Sequence, residues 1–229
     1  MAKRWRASGK TDVLSRHRLS TRTVRFGMHS APRSPSDLRR PTVDEVRAAV
    51  DRAIPDLVAP RLTVLFCGIN PGLYSAAAQC HFARPGNRFW PALHRAGFTA
   101  RLLAPHDGKE CIASGFGITS LVRRATASAR DLEPAELVAG GRRLARTIRV
   151  YRPQWIAVLG VGAYRTAFRD PRATVGLQPR TVAGARTWIL PSPSGANGSY
   201  PLVELIRELR AFRDAINQYP PLEPRDGGI

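Results

Sequence analysis

Cysteine, lysine and acidic residues are all scarce in this chain. Its three cysteines, Cys67, Cys80 and Cys111, cannot all pair, and no Cys-x-x-Cys spacing occurs. That excludes a disulfide-stapled scaffold, argues against a zinc or iron–sulfur framework and points to a reducing, cytoplasmic setting. Cys67 sits inside an apolar run, where a thiol is buried and inert. Long apolar stretches are also missing: none reaches the ~18–20 residues that spanning a bilayer requires, so no membrane association is expected. The N-terminus lacks the continuous apolar region of a secretory signal. It is Arg- and Ser-rich and poor in acids, a composition shared with organelle transit peptides.

Against 17 acids stand 36 bases, a net charge of +19. Residues 1–40 hold 11 of those bases and two acids, so this short segment carries +9 and the remainder +10. Such an excess attracts polyanions, nucleic acid above all. Only three of the bases are lysine, so a GC-rich coding bias toward arginine accounts for part of the excess, and charge alone does not settle a function. With 43% hydrophobic residues over 229 positions, the chain can bury one full core.

Residues 1–40 lack hydrophobic periodicity and read as a basic, disordered extension: a nucleic-acid-binding arm, a targeting segment, or a consequence of start-site choice with Met28 as an alternative start. A domain spanning residues 41–218 follows, and residues 219–229 form a flexible tail. Thr42-Val43-Asp44-Glu45 has capping-box spacing and opens a short helix expected to end near Ile54-Pro55. Thr63–Cys67 is a continuous apolar run ending at Gly68, the signature of a strand buried on both faces. A helix begins after Asn87, its expected N-cap, and a short strand is expected at Gly117-Ile118-Thr119. A long amphipathic helix runs from Pro134 to Tyr151, its middle weakened by Gly140-Gly141. Trp155–Gly160 repeats the strand-then-glycine pattern and leads into a short helix. Thr187–Leu190 is the last strand, and Leu202, Leu205, Ile206, Leu209 and Ile216 mark a closing helix. The alternation predicts an α/β fold, a three-layer α/β/α sandwich around a mostly parallel sheet. In such sheets ligands bind at the loops that leave the C-terminal ends of the strands. Two loops stand out there, 68–82 and 191–200, and the topology opens both on one sheet edge.

In Gly68-Ile69-Asn70-Pro71-Gly72 a polar amide is held between glycines and a proline directly after a buried strand. In isolation this is a tight turn. The wider context changes the reading. Val64–Thr99, with Phe82-Ala83-Arg84-Pro85-Gly86-Asn87-Arg88-Phe89-Trp90 and Ala96-Gly97-Phe98, resembles the mismatch-specific uracil/thymine-DNA glycosylases of the uracil-DNA glycosylase superfamily. The likeness continues through Gly140–Leu144 into Leu190-Pro191-Ser192-Pro193-Ser194-Gly195, covering residues 62–216 in matching order.

The resemblance implies hydrolysis of an N-glycosidic bond after the target nucleotide flips out of the duplex, without metal or other cofactor, by a monomer acting on double-stranded DNA that contains uracil or mismatches, nucleoid-associated if the source is bacterial. It implies that Asn70 positions the attacking water and that Phe82 stacks on the flipped base. Main-chain N–H groups around Ile69 and Phe82 would meet the uracil oxygens, and Ser75 would influence the choice between uracil and thymine, here toward uracil. Ser194, Gly195, Ala196 and Asn197 fall in the loop that enters the DNA, and Arg84 and Arg88 are candidate phosphate contacts. A neutral amide orients water but is a poor base, so the reaction leans on a cation-like sugar and on donors for the departing base.

Two positions depart from the family pattern. Ser192 stands where bacterial mismatch glycosylases carry Asn and fast uracil glycosylases carry His. A hydroxyl is a weaker donor to the developing uracil anion, which predicts slow turnover. Only Ala196 matches the bulky wedge that fills the gap left by the flipped base, which leaves dependence on an opposite guanine open; Tyr200 either compensates or packs at the start of the last helix. His81 is expected either to line the pocket or to face solvent, and His94 to be structural. Other readings are a superfamily member acting on deaminated purines or single-stranded uracil, and a basic nucleic-acid-binding protein without turnover. A water-positioning amide beside a stacking ring favours activity.

Overall fold

A computed structural model describes residues 40–194 and 200–219. Five strands form its sheet, β1 (Val64–Gly68), β2 (Phe116–Ser120), β3 (Trp155–Leu159), β4 (Gly176–Leu177) and β5 (Arg186–Leu190), in the order β2-β1-β3-β5-β4. All neighbouring pairs are parallel except β4 with β5. Among the described residues seven α-helices accompany them: α1 (Val43–Arg47), α2 (Leu73–Ala78), α3 (Phe89–Arg95), α4 (Gly108–Ala113), α5 (Pro134–Tyr151), α6 (Val161–Phe168) and α7 (Leu202–Gln218).

The continuous apolar runs are strands because both faces of the sheet are covered. Side chains alternate across a strand. Val64, Phe66, Ile118, Trp155, Ala157, Leu159, Trp188 and Leu190 therefore point one way, into a core shared with α3 and α7. Leu65, Cys67, Ile156, Val158 and Ile189 point the other way, against α5 and α6. The α/β/α layering expected from the sequence is what the chain adopts. On α7, Leu205, Leu209, Phe212 and Ala215 recur at helical spacing and are all buried; each of the larger ones contributes about 1.5–3 kcal/mol by leaving water. Cys67 is fully buried, and desolvation pushes its thiol far above the usual range, so it is inert as expected.

Three expectations are corrected. The first helix ends at Arg47 instead of reaching Ile54: Thr42 and Glu45 form the reciprocal cap, but irregular turns follow and Asp51 takes a left-handed φ of 61°. Asn87 lies one residue ahead of the N-cap position, which is Arg88, although its carboxamide oxygen still accepts from the Phe89 N–H at 2.9 Å. The Gly140-Gly141 pair does not mark a weak point in α5. A Cβ on Gly140 would lie 2.3 Å from the Leu121 carbonyl oxygen, and one on Gly141 would lie 2.7 Å from that of Ala167. The glycines let α5 lie directly against backbone.

Candidate active site

Parallel pairing sends the residues after β1 and β2 out of the same sheet edge, side by side. The Leu121 N–H donates to the Gly68 carbonyl, Val122 to Ile69 and Thr126 to Pro71, at 2.8, 2.8 and 3.2 Å. Segment 121–126 thus forms a backing for segment 68–72, and Asn70 projects against it. The Asn70 Nδ2 donates to the Thr126 hydroxyl at 2.7 Å and to the carbonyls of Arg124 and Pro71, both at 3.2 Å. Every partner of that nitrogen is an acceptor, so the amide has one orientation, with Nδ2 inward and Oδ1 turned away from the cage. The Thr126 hydroxyl gives its own proton to the Ser128 carbonyl at 2.7 Å.

The backing segment is itself anchored. Arg124 makes a bidentate pair with Glu136, Nε to Oε1 at 2.6 Å and Nη2 to Oε2 at 2.8 Å, and reaches Asp51 at 3.3 Å. Hydrogen bonds from Arg124, and secondarily from the Glu133 N–H, hold the Glu136 carboxyl down at about 2. Glu136 completes the reciprocal cap of α5 as well. None of Thr126, Arg124, Glu136 or Asp51 was singled out by the sequence. Arg-Ala-Thr carries no pattern, and its contacts to Asn70 span more than 50 residues of chain.

Thr126→Val keeps the shape and removes the nearest acceptor. Any single-turnover chemistry that depends on Asn70 is expected to fall about 10- to 100-fold, because a misoriented group near the reacting atoms costs that much. Thr126→Ser is expected to restore it, with ligand affinity unchanged in both. A valine variant of full activity would show that the amide needs no such anchor.

Phe82 has a positive φ of 54°, costly for an aromatic residue and sustained only where neighbours enforce it. Two hydrogen bonds do so. The Trp90 indole N–H donates to the His81 carbonyl at 3.1 Å on one side, and the Ala83 N–H donates to the Ser75 hydroxyl at 3.1 Å on the other. The half-buried ring stacks on Phe89 at 4.1 Å between centroids. It also lies against Gly68, where a Cβ would meet it at 3.4 Å. Ser75 is buried in α2, its hydroxyl committed to the turn that carries Phe82. Ile69 is half-buried and packs over Gly160, whose φ of 143° and missing side chain make the room.

His81 neither lines an open pocket nor faces solvent. It is buried, and its Nε2 lies 3.0 Å from the Pro55 carbonyl oxygen. Desolvation lowers its pKa, so the neutral ring donates that bond. As pH falls below about 6.5 the unfolded chain takes up a proton that the folded chain refuses, and stability drops. Melting temperatures followed from pH 7.5 to 5.5 are expected to decline less in His81→Gln than in the parent; equal declines would refute the assignment. His94 is structural, its Nδ1 lying 3.1 Å from the Thr99 carbonyl oxygen.

Arg88 has a different occupation from the expected phosphate contact. Its main-chain N–H donates to the Pro193 carbonyl at 3.1 Å, and its guanidinium reaches the carbonyls of Pro193, Ser194 and Tyr200. The start of α3 is thereby stapled to the final loop on both sides of residues 195–199. Tyr200, half-buried, precedes α7 in the place expected of a packing residue. Ser192 and Ser194 are half-buried, the Ser192 Oγ facing the Ser194 N–H at 3.4 Å. Arg84 is exposed. Gly195, Ala196 and Asn197 lie outside the described residues. Among the described residues no three His, Cys, Asp or Glu side chains gather into a metal-binding set.

The loops after β1 and β5 therefore meet through Phe82, Phe89 and Arg88, as the topology requires. A family model described as the uracil DNA glycosylase superfamily matches residues 55–218. A solution NMR structure from Methanosarcina acetivorans, described as a candidate uracil DNA glycosylase, is similar to this chain at 18% identity. That alignment covers 72% of this chain and 99% of that one, with a TM-score of 0.45.

Proposed function

The chain belongs to the uracil DNA glycosylase superfamily, and from that premise we propose that it excises uracil from double-stranded DNA, chiefly at mismatches with guanine. The observation that carries this reading is the acceptor cage around the Asn70 Nδ2. With its donor side saturated, the amide offers only Oδ1, which accepts a hydrogen bond from a water and aims that water's lone pair at the anomeric carbon. The water oxygen bonds to C1′ as the C1′–N1 bond breaks, and uracil departs with the electron pair. Asn70 is too weak a base to take the water's proton, so bond cleavage runs ahead of attack and the sugar carries positive charge; once the C1′–O bond has formed, the proton leaves to solvent and the uracil anion is protonated there in turn.

Phe82 supplies the aromatic surface for the flipped base, held beside Gly68 by the Ser75 and Trp90 hydrogen bonds. Uracil is favoured over thymine, with the buried Ser75 fixing the turn on which Phe82 sits. The serine at position 192 gives the leaving base a weaker donor than His or Asn, and turnover is slow. Ala196, short for a wedge, makes the preference for an opposite guanine less than strict.

Incubation with duplexes carrying U·G, T·G, U·A or hypoxanthine, and with single-stranded uracil, followed by alkaline cleavage of abasic sites, tests the whole reading. U·G is expected to react fastest and T·G least among the pyrimidine mismatches. Preferential release of hypoxanthine, or no release from any substrate, would overturn it.

A further inference from the structure

Several arginines of the domain are spent on internal partners. Arg101, Arg124, Arg143, Arg207 and Arg213 pair with carboxylates, while Arg88, Arg165 and Arg210 hold main-chain carbonyls. Among the exposed arginines without such a partner, six gather on the flank formed by α5 and α6. Arg142, Arg146 and Arg149 on α5, Arg169 and Arg172 just after α6, and Arg180 before β5 are all exposed. No carboxylate or carbonyl among the described residues engages any of their guanidinium groups. Arg142, Arg169 and Arg180 rim one groove of about 850 Å³, floored by Val138, Ala145, Tyr164 and Phe168, with Asp170 its only acid.

Helical spacing continues this set along α5. Arg142, Arg146 and Arg149 fall on one stripe, seven residues at ~1.5 Å rise, or about 10 Å. That length covers about three base-pair steps of duplex at ~3.4 Å each. Guanidinium groups suit phosphates through their forked donors, and a patch of unpaired like charge raises the local concentration of a polyanion. The groove leads into the start of β5, whereas Asn70 follows the end of the parallel strand β1. A duplex bound at Asn70 therefore does not account for this flank.

We propose that the α5–α6 flank, through Arg142, Arg146, Arg149, Arg169, Arg172 and Arg180, grips the phosphates of a second segment of double-stranded DNA, so that the protein bridges two duplexes. Bridging rests on the proposed function in taking the Asn70 edge as the site of the first duplex; the grip of the flank itself does not.

The test uses the full chain at low salt with two populations of short undamaged duplex, one carrying a donor and the other an acceptor fluorophore. The parent protein is expected to bring them together, giving energy transfer that falls as salt rises. The triple variant Arg142→Glu, Arg169→Glu, Arg180→Glu is expected to lose bridging affinity about tenfold or more. Its melting temperature and its single-turnover excision of uracil at saturating enzyme should match the parent's. The triple lysine variant keeps the charge and is expected to keep bridging. No transfer with the parent protein overturns the proposal. Unchanged transfer in the glutamate variant does so too, by assigning bridging to other basic residues such as those of 1–40. Loss of excision in parallel with bridging, in a variant that melts normally, would place these arginines in the catalytic grip. Binding of poly-L-glutamate at this flank without duplex bridging would overturn it in favour of an acidic protein partner.

Discussion

Asn70→Ala is expected to lower single-turnover excision from a U·G duplex by about three orders of magnitude, within the span that positioned groups contribute in hydrolytic sites. Affinity for the same duplex should stay within severalfold, since Asn70 is one half-buried, uncharged side chain and affinity for a polyanion comes mainly from positive charge. The loss is large because nothing nearby takes over. The Thr126 hydroxyl faces Ser128, and the carbonyls of Arg124 and Pro71 point at the nitrogen that alanine removes. Single-turnover kinetics and a parallel binding isotherm separate the two effects. Activity in Asn70→Ala within tenfold of the parent would remove the residue from the mechanism.

The largest effect on stability is expected at Gly140. Alanine in place of glycine within an exposed helix stabilises by about 0.5–1 kcal/mol. Here the sign reverses. The new Cβ would sit 2.3 Å from the Leu121 oxygen and 2.8 Å from its carbonyl carbon, and both belong to backbone that cannot rotate away. Leu121 is also tied to Gly68 through its N–H and to Arg143 through its carbonyl. Overpacking of this kind costs about 1–3 kcal/mol, leaving about 0.5–2 kcal/mol net of the helix gain, which for a domain of this size lowers the melting temperature by about 1–8 °C. Excision should suffer as well, because Leu121 begins the segment that ends at Thr126. A melting temperature at or above the parent's in Gly140→Ala would show that α5 moves away without cost.

That glycine pair illustrates where the sequence misleads. Read along the chain, Gly140-Gly141 is a soft spot in a helix; the contact that explains it comes from 19 residues upstream and cannot be seen locally. The strands β1, β3 and β5 were legible because burial on both faces leaves unbroken apolar runs, and α5 because a long amphipathic pattern opens at Pro134. Helix α2 was hidden inside a loop: Leu73–Ala78 is short, and its run of alanines has no periodicity. Strand β4 has two residues, too few for any alternation to register. At the site, Asn70 and Phe82 stood out through the likeness of their segments to a known glycosylase family. Their supports did not stand out as supports. Thr126 carried no signal, Ser75 was read for base choice and not as the anchor of the Phe82 turn, and the roles of Trp90 and of Arg88 as a staple appear only when the segments they hold are in place.

The cage around Asn70 also limits which side chains can ever work at that position. Aspartate has the same size and is a far stronger base, so on chemical grounds it looks like an easy improvement, one nucleotide change away. A carboxylate there would face two carbonyl oxygens and a hydroxyl whose proton is already committed to Ser128. It would be repelled from the cage or forced to keep its proton. The gain in basicity is thus unavailable to a single substitution, and an evolutionary path to it must first rebuild Thr126 and the 124–128 segment. The fold has fixed a neutral amide in place by surrounding it with partners that accept nothing else.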